Sequence, residues 1–399
     1  MILGVAFGLI AGKNYPFIEM LGQLFLRLIQ MSIILLVTGQ IIEAIGGIKP
    51  SETGKIGVKT VVIFTVSTFL AAIFGVFMAS VFQPGVGISL SNIEAGAEVT
   101  AGKANTIADT LLGFFPTNIM QAMSNGVIVQ VIVFAIFIGF GLSYVNHDGK
   151  SFLYKTLVDF NKIIMRIIHM VMYFAPVGVF ALVASSIGKF GIAVILPLAK
   201  YLGVYGLGTL LFLLAWVAVV SLYTHISPVE IIKRVTRMSL VALATTSSAV
   251  TLPIEMEDAE FKLGVTKEVN KIALPLGVSL NSNGAAMHMA VTIITIAQLY
   301  GVSYGFSDLV YIVALAAFAS LANAVVPGAG LVSLSIVVPQ MGLPLESIAL
   351  FAGVEWFVGM LRTILNVDAD TFTSMLVAKS ENKLNYDVYA RDYQYVSSD

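Results

Sequence analysis

Three polar side chains stand at four-residue intervals in the last apolar segment of the chain. Arg362, Asn366 and Asp370 share one helical face, because residues four apart are neighbours on a helix surface. A guanidinium binds a carboxylate through paired N–H donors, and carboxylate and amide oxygens are hard ligands for a small cation. The spacing favours an anion site and a cation site on one helix. A structural alternative stays open, in which Arg362 and Asp370 neutralise each other or Glu355.

Two polar stretches interrupt the apolar sequence upstream of that segment. Residues 245–248 (TTSS) offer hydroxyl groups and, at a hairpin tip, free N–H groups for an anion. Residues 281–284 (NSNG) free backbone carbonyls and add amide oxygens that suit Na⁺. The alternatives are helix packing through Ser and Thr for the first stretch and a glycine hinge for the second. His288, one turn further on, is either a proton carrier or a satisfied interior histidine.

The composition places these groups in a membrane. The chain of 399 residues is 58% hydrophobic and 11% charged, with a mean hydropathy of +0.92, whereas about a quarter of a soluble domain is charged. Long apolar runs favour helices over a barrel. The net charge of −1 suggests no nucleic-acid partner, and the absence of cysteine excludes disulfides, thiolate metal sites and a cysteine nucleophile.

Apolar segments predict six helices followed by shorter, interrupted segments. The six are predicted at residues 1–12, 17–45, 56–82, 125–145, 152–190 and 192–223. The first is shorter than the ~20 residues that cross a bilayer, so it is either a short helix or the remainder of a longer one. The interrupted segments are residues 228–260, 265–300 and 308–341, and a last segment follows at 345–378. Two broken segments around an unwound helix indicate re-entrant hairpins, a pattern typical of secondary transporters.

The distribution of charge predicts the orientation of these segments. Lysine and arginine are concentrated in residues 46–59 and 224–237, whereas the loop at 83–115 is acidic. Basic loops remain in the cytoplasm. We therefore expect a multi-pass protein of the cell (inner or plasma) membrane, with the acidic loop outside the cell and both termini in the cytoplasm. An acidic run follows residue 253, and we interpret it as a solvated cytoplasmic face. Its members are Glu255, Glu257, Asp258 and Glu260.

These motifs resemble those of the glutamate-transporter-like family of dicarboxylate and amino acid:cation symporters, over nearly the whole chain. The family's serine-rich tip followed by Thr-Leu-Pro corresponds to residues 246–253, and its Asn-Met-Asp-Gly-Thr break resembles residues 281–285. Its second hairpin tip resembles residues 326–330. Its last-helix pattern, Arg-Thr-x-x-Asn-x-x-x-Asp, stands at residues 362–370.

The resemblance implies an all-α polytopic membrane protein that works as an elevator-type transporter. Eight transmembrane helices, two re-entrant helical hairpins, inverted repeats and a homotrimer are expected. A scaffold and trimerisation domain would comprise residues 1–54 and 116–191, and a transport domain residues 55–82 and 192–380. An extracellular loop at 83–115 and a cytoplasmic tail at 381–399 complete the expected organisation.

The resemblance also implies roles for individual residues. The first sodium site would comprise Gly277, Asn281, Asn366 and Asp370. The second cation site would comprise Phe64, Ser67, Thr68, Asn281 and Asn283. The substrate contacts would be Ser247, Ser248, Val326, Gly328, Glu355, Arg362, Thr363 and Asn366.

Three positions depart from the family pattern. Asn283 replaces an aspartate and removes a negative charge from the second cation site, and Ala285 replaces a threonine near the substrate. Gly359 stands where amino-acid carriers often place an aspartate that holds the substrate amine. Glu355 is a possible substitute, and cystine carriers of the family are similar at this glutamate and at the Asn-Gly of the break.

The sequence therefore predicts Na⁺-coupled symport of a small carboxylate-bearing solute, a dicarboxylate or an acidic amino acid. Symport of cystine or another amino acid, proton coupling through His288 or Glu355, and an ion channel remain alternatives. The expected partners are the solute and the lipid bilayer. We expect no enzyme activity, because no nucleophile–base pair or metal-ligand cluster emerges from the pattern.

Overall fold

The computed structural model describes residues 2–11, 15–47, 50–87, 112–146, 151–190, 195–321 and 329–390. Within these ranges the secondary structure is helical, apart from one isolated antiparallel bridge between Val265 and Leu384. This confirms the all-α prediction. Val326 and Gly328 of the predicted substrate site, most of the acidic loop and the end of the predicted tail lie outside the described residues.

The helices before residue 225 follow the predicted segments with three differences, the first of which is an additional short helix at Ile119–Ser124. They are α1 (Ile2–Ala11), α2 (Pro16–Gly46), α3 (Pro50–Phe82), α4 (Ile119–Ser124), α5 (Ile128–Val145), α6 (Phe152–Tyr173), α7 (Ala175–Phe190) and α8 (Ile195–Thr224). The predicted segment 152–190 is two helices, and Pro176 near the start of α7 suits the first turn of a new helix. Helix α3 begins earlier than predicted and bends at Gly54, whose φ of 45° is left-handed.

The helices after residue 225 break where the polar stretches stand. They are α9 (Pro228–Thr245), α10 (Ser248–Phe261), α11 (Lys267–Leu280), α12 (Asn283–Leu299), α13 (Phe306–Ser320), α14 (Ala329–Gln340), α15 (Ile348–Ala352), α16 (Glu355–Ser380) and α17 (Asp387–Ala390). The prediction of one uninterrupted segment over residues 345–378 is wrong. A short 3₁₀ turn and α15 meet α16 at a bend of 86°.

Three helices of the described chain are long and apolar enough to cross a bilayer. They are Gly54–Phe82, Ile128–Val145 and Ile195–Thr224, and a fourth span arises if α15 and α16 are counted together. The remaining helices are shorter or carry charged residues. A total of eight spans stays a prediction.

Helix α16 lies at the centre of the packing. It contacts α3, α8, α9, α10, α11, α12 and α14, and it is this helix that carries Arg362, Asn366 and Asp370. Helices α1, α2, α5, α6 and α7 pack on one another, and α14 and α15 join them to the remainder through α2 and α7. The central position of α16 brings both polar breaks to its surface.

Candidate functional site

The carboxylate of Asp370 lies at the break between α11 and α12. Asn281 ends α11, and its Nδ2 donates to Asp370 Oδ1 at 2.6 Å. The second oxygen, Asp370 Oδ2, is buried without a hydrogen-bond partner among the described residues. A methyl group on Gly277 would overlap the Asp370 carboxylate, so the carboxylate lies directly against the Gly277 backbone.

Asn366, one helical turn before Asp370 on α16, contacts the start of α12. Its Oδ1 accepts the N–H of Gly284 at 2.8 Å. Gly284 also packs on the backbone of Arg362, where a methyl group would overlap the Arg362 carbonyl oxygen. The four residues predicted for the first sodium site therefore lie together, and α12 begins against the turn of α16 that carries Arg362.

This arrangement fits a small hard cation. Carboxylate, amide and backbone oxygens are the donor types that Na⁺ takes at unwound helices. A fully buried carboxylate with an unpartnered oxygen is costly, and a bound cation would offset that cost. The absence of a side chain at Gly277 lets the carboxylate approach the backbone of α11.

The residues predicted for the second cation site also meet, and their hydroxyl and amide oxygens bond to one another, while the buried Asn283 Nδ2 has no hydrogen-bond partner among the described residues. Asn283 Oδ1 accepts hydrogen bonds from Ser67 Oγ and Thr68 Oγ1, both at 3.1 Å. Thr68 Oγ1 is 3.5 Å from Asn281 Oδ1, and Ser67 Oγ is 3.0 Å from the Phe64 carbonyl oxygen. The cluster contains no carboxylate.

The first hairpin, α9 and α10, brings its tip to α16. Thr246 ends α9 with a left-handed φ of 51°, and Ser247 caps α10 by accepting the Val250 N–H at 3.4 Å. Ser247 and Ser248 are buried. The tip lies beside Gly359, where an added methyl carbon would be 3.8 Å from Thr246 Cβ.

Arg362 is paired with Glu355, two helical turns away on α16. Arg362 Nη1 donates to Glu355 Oε1 at 3.1 Å, and the two side chains are only 4% and 8% exposed. The same Glu355 oxygen accepts the N–H of Gly330 at the start of α14, at 3.0 Å. Glu355 therefore neutralises Arg362, as the structural alternative predicted. Asp370 bonds to Asn281 and not to Arg362.

Two other predicted residues are buried near this pair. The Thr363 hydroxyl donates to the Gly359 carbonyl oxygen of its own helix at 2.8 Å. His288 packs against Tyr205 with ring centroids 5.8 Å apart. Neither of its ring nitrogens has a hydrogen-bond partner in the described part of the chain.

The interpretation of the acidic run as a solvated face is wrong for two of its four members. Glu255 and Asp258 are fully buried. Asp258 pairs with Arg237 and Lys262 at 3.1 and 2.8 Å, and Glu255 accepts the Thr371 hydroxyl at 3.0 Å. Their three-residue spacing puts both on the inward side of α10, whereas Glu257 has a half-exposed side chain.

Asp368 was not singled out as a site residue, although it lies two residues from Asp370. It is buried and accepts the Ser239 hydroxyl of α9 at 2.7 Å. Its position inside the apolar pattern of α16 was the only available signal. Residues 368 and 370 point to different sides of a helix, so Asp368 faces the first hairpin and Asp370 faces α11.

Comparison with known proteins matches this chain to transporters along its length. The model of the sodium:dicarboxylate symporter family matches residues 1–380. The proton/glutamate-aspartate symporter of Bacillus subtilis (strain 168) is 32% identical over 390 residues, covering 96% of this chain and 94% of the relative. The protein of that name from Escherichia coli (strain K12) is 31% identical over 373 residues, covering 91% and 85%.

A third relative carries a different substrate name. The C4-dicarboxylate transport protein of Brucella anthropi is 29% identical over 407 residues, covering 98% of this chain and 90% of the relative. The family and these relatives are transporters and not enzymes. The family model extends over both polar breaks and over the Arg362–Asp370 face of α16, and the chain therefore belongs to the sodium:dicarboxylate symporter family.

Proposed function

We propose that this protein imports a small carboxylate-bearing solute, a dicarboxylate or an amino acid, together with Na⁺ across the cell membrane. The observation that carries the proposal is the buried Asp370 carboxylate, which lies against Gly277, bonds to Asn281 and keeps one oxygen without a partner among the described residues. The same helix carries Arg362, a carboxylate-binding side chain. The names of the relatives support both a carboxylate solute and a coupling cation.

The contacts between the two sites suggest how ion and solute binding are coupled. Arg362 and Asp370 are eight residues apart, about 12 Å along the helix axis. Between them, Asn366 holds the N–H of Gly284, and Gly284 packs on the Arg362 backbone. A cation bound by Asp370, Asn281 and Asn366 fixes the start of α12 against the turn that carries Arg362. Each ligand then favours the arrangement that binds the other.

The remaining site residues complete the substrate pocket. Ser247 and Ser248 would contribute hydroxyl and N–H groups from the first hairpin, and Val326 and Gly328 would contribute from the second. Thr363 would line the pocket next to Arg362. We propose that α3, α8 and the helices from α9 to α16 move together past α1, α2 and α5–α7 as an elevator, within a homotrimer.

Uptake into proteoliposomes tests the proposal. The purified protein is reconstituted, and uptake of labelled aspartate, glutamate, succinate and cystine is measured with inward gradients of Na⁺ or of choline. We expect at least one of these solutes to accumulate only with the Na⁺ gradient. Arg362→Ala should reduce this uptake to the background of empty liposomes, whereas Lys162→Ala, an exposed charge on α6, should not change it.

Two results would contradict the proposal. One is equal uptake of all four solutes with Na⁺ and with choline at every imposed membrane potential. The other is undiminished uptake by Arg362→Ala. Current without a fixed ratio of solute to charge would instead indicate a channel.

Proton coupling is a second candidate, because the imidazole of His288 is buried without a hydrogen-bond partner among the described residues. Two of the relatives reported above are named as proton symporters. In this alternative a pH gradient drives uptake in sodium-free buffer, and His288→Gln removes that component. Loss of all uptake without sodium would exclude it.

A further inference from the structure

We propose that Glu355 binds the ammonium group of the substrate, so that the solute is an amino acid and not an amine-free dicarboxylate. This inference rests on the proposed transport function and assigns the chemistry of its substrate. It depends on the pair formed by Glu355 and Arg362 and on the free oxygen of Glu355.

The charges of the pair cancel within the site. The Arg362 guanidinium and the Glu355 carboxylate are 3.1 Å apart, and both side chains are almost fully buried. A dicarboxylate without an amine would bring two negative charges to a pair whose net charge is zero, with Glu355 already beside them. An enclosed site penalises uncompensated charge strongly. A zwitterion adds one positive and one negative group and keeps the balance.

The carboxylate of Glu355 has an acceptor oxygen that no described part of the chain uses. Its Oε1 receives hydrogen bonds from Arg362 Nη1 and the Gly330 N–H. Its Oε2 is buried and lacks a hydrogen-bond partner among the described residues. An ammonium group carries three donors and a positive charge, which is what an unpaired carboxylate oxygen requires.

The guanidinium also keeps donors for a substrate carboxylate. Arg362 uses Nη1 for Glu355, while Nη2 faces Gly359. A methyl carbon on Gly359 would be 3.7 Å from Nη2, so no side chain of that residue covers this side. An α-amino acid can therefore present its carboxylate to Arg362 and its ammonium group to Glu355.

Gly330, at the start of α14, packs directly against the pair formed by Glu355 and Arg362. A methyl group on Gly330 would overlap both the Glu355 carboxylate and the Arg362 guanidinium. The backbone N–H of Gly330 thus fixes Oε1, while Oε2, which also lies against Gly330, keeps no hydrogen-bond partner among the described residues. Glu355 is held in one orientation, which favours selective binding of a donor.

Pairs of solutes that differ only in the amine test the assignment. The pairs are aspartate and succinate, glutamate and glutarate, and cystine and 3,3′-dithiodipropionate. Binding to the purified full-length protein is measured in saturating Na⁺ by the shift in melting temperature and by competition for uptake. A charge-assisted hydrogen bond predicts that the wild-type protein prefers the amine-bearing member of at least one pair by about ten- to a hundredfold.

Variants locate that preference at Glu355. In Glu355→Gln we expect the preference to fall to about threefold or less, because the neutral amide loses the charge-assisted hydrogen bond. Glu268→Gln, which removes an exposed carboxylate on α11, should retain the wild-type preference. The double variant Glu355→Gln with Gly359→Asp returns a carboxylate beside Arg362 Nη2 and should restore part of the preference.

The outcomes separate this inference from the proposed function. Equal binding of both members of all three pairs by the wild-type protein overturns the role of Glu355, even if Glu355→Gln does not fold. An unchanged preference in a folded Glu355→Gln protein overturns it as well. If none of the six solutes binds or is transported, the proposed function itself fails.

Discussion

The two polar clusters around Asn281 share a residue and differ in charge. On the side of α16, the Asp370 carboxylate is fully buried and has one oxygen with no partner in the described chain. On the side of α3, Ser67 and Thr68 donate to the amide oxygen of Asn283. The first cluster has no positively charged side chain among its described partners. The second cluster is neutral, and its amide and hydroxyl oxygens bond to one another, while Asn283 Nδ2 has no described partner.

The difference shows that proximity of polar groups does not make a cation site. Buried polar groups that bond to one another offer little to an ion, because the ion must replace those bonds. A buried carboxylate requires a counter-charge or a proton, and Asp370 has neither a lysine nor an arginine as a partner within the described residues. We therefore place the proposed sodium coupling at the Asp370 cluster.

Asp370→Asn should cause the largest change. The amide removes the negative charge that holds the cation, so we expect Na⁺-driven uptake to fall to the background of empty liposomes. Asp159→Asn, an exposed carboxylate on α6, is the matched control and should leave uptake unchanged. Sodium-driven uptake of wild-type size in Asp370→Asn would contradict the assignment.

Asn283→Asp should convert the neutral cluster into a second charged one. An unpaired buried carboxylate costs ~3–5 kcal/mol, so the melting temperature without sodium should fall. Sodium should then restore stability, with a steeper dependence on concentration than in the wild-type protein. A fall in melting temperature that no sodium concentration reverses would show that this cluster cannot hold a cation even when it is charged.

Gly277→Ala tests the geometry of the first cluster without changing its charge. The added methyl group overlaps the Asp370 carboxylate and must displace it. We expect sodium affinity to fall at least tenfold, about 1.4 kcal/mol. Gly203→Ala has open space around the added methyl and serves as the control. An unchanged sodium dependence of uptake in Gly277→Ala would mean that the ion does not depend on this contact.

Ser67→Ala with Thr68→Val should have the smallest effect. Both changes remove hydroxyl donors to Asn283, each worth about 1 kcal/mol of stability. The sodium concentration for half-maximal uptake should stay within about twofold of the wild-type value, because the variant reaches the Asp370 cluster only through the 3.5 Å contact between Thr68 Oγ1 and Asn281 Oδ1. A tenfold increase would place a coupling ion at Asn283.

The breaks in the helices could be predicted, because lipid cannot satisfy the polar groups of a stretch that interrupts apolar sequence. Thr246–Ser247 and Asn281–Ser282 separate helices where polar residues interrupt apolar sequence. The Arg362, Asn366 and Asp370 face could be predicted from spacing alone. These features are local, and local sequence contains the necessary signal.

Features that depend on the partner element could not be predicted in the same way. Glu255 and Asp258 resemble a solvated run until Thr371, Arg237 and Lys262 are placed opposite them. The bend of 86° before α16 follows a short apolar helix that ends at Ala352, and the sequence marks it only by Gly353. Tertiary packing determines both the burial of these two carboxylates and the bend before α16.

The most direct test of the central claim is a sodium titration of the melting temperature in three proteins side by side. They are the wild type, Asp370→Asn and the Ser67→Ala/Thr68→Val double variant, each without solute and at constant ionic strength with choline. Sodium should stabilise the wild type and the double variant with midpoints that agree within about twofold, because binding to the folded state raises its stability by mass action. Asp370→Asn should show no sodium-dependent shift. A wild-type shift in Asp370→Asn together with a lost shift in the double variant would contradict the account.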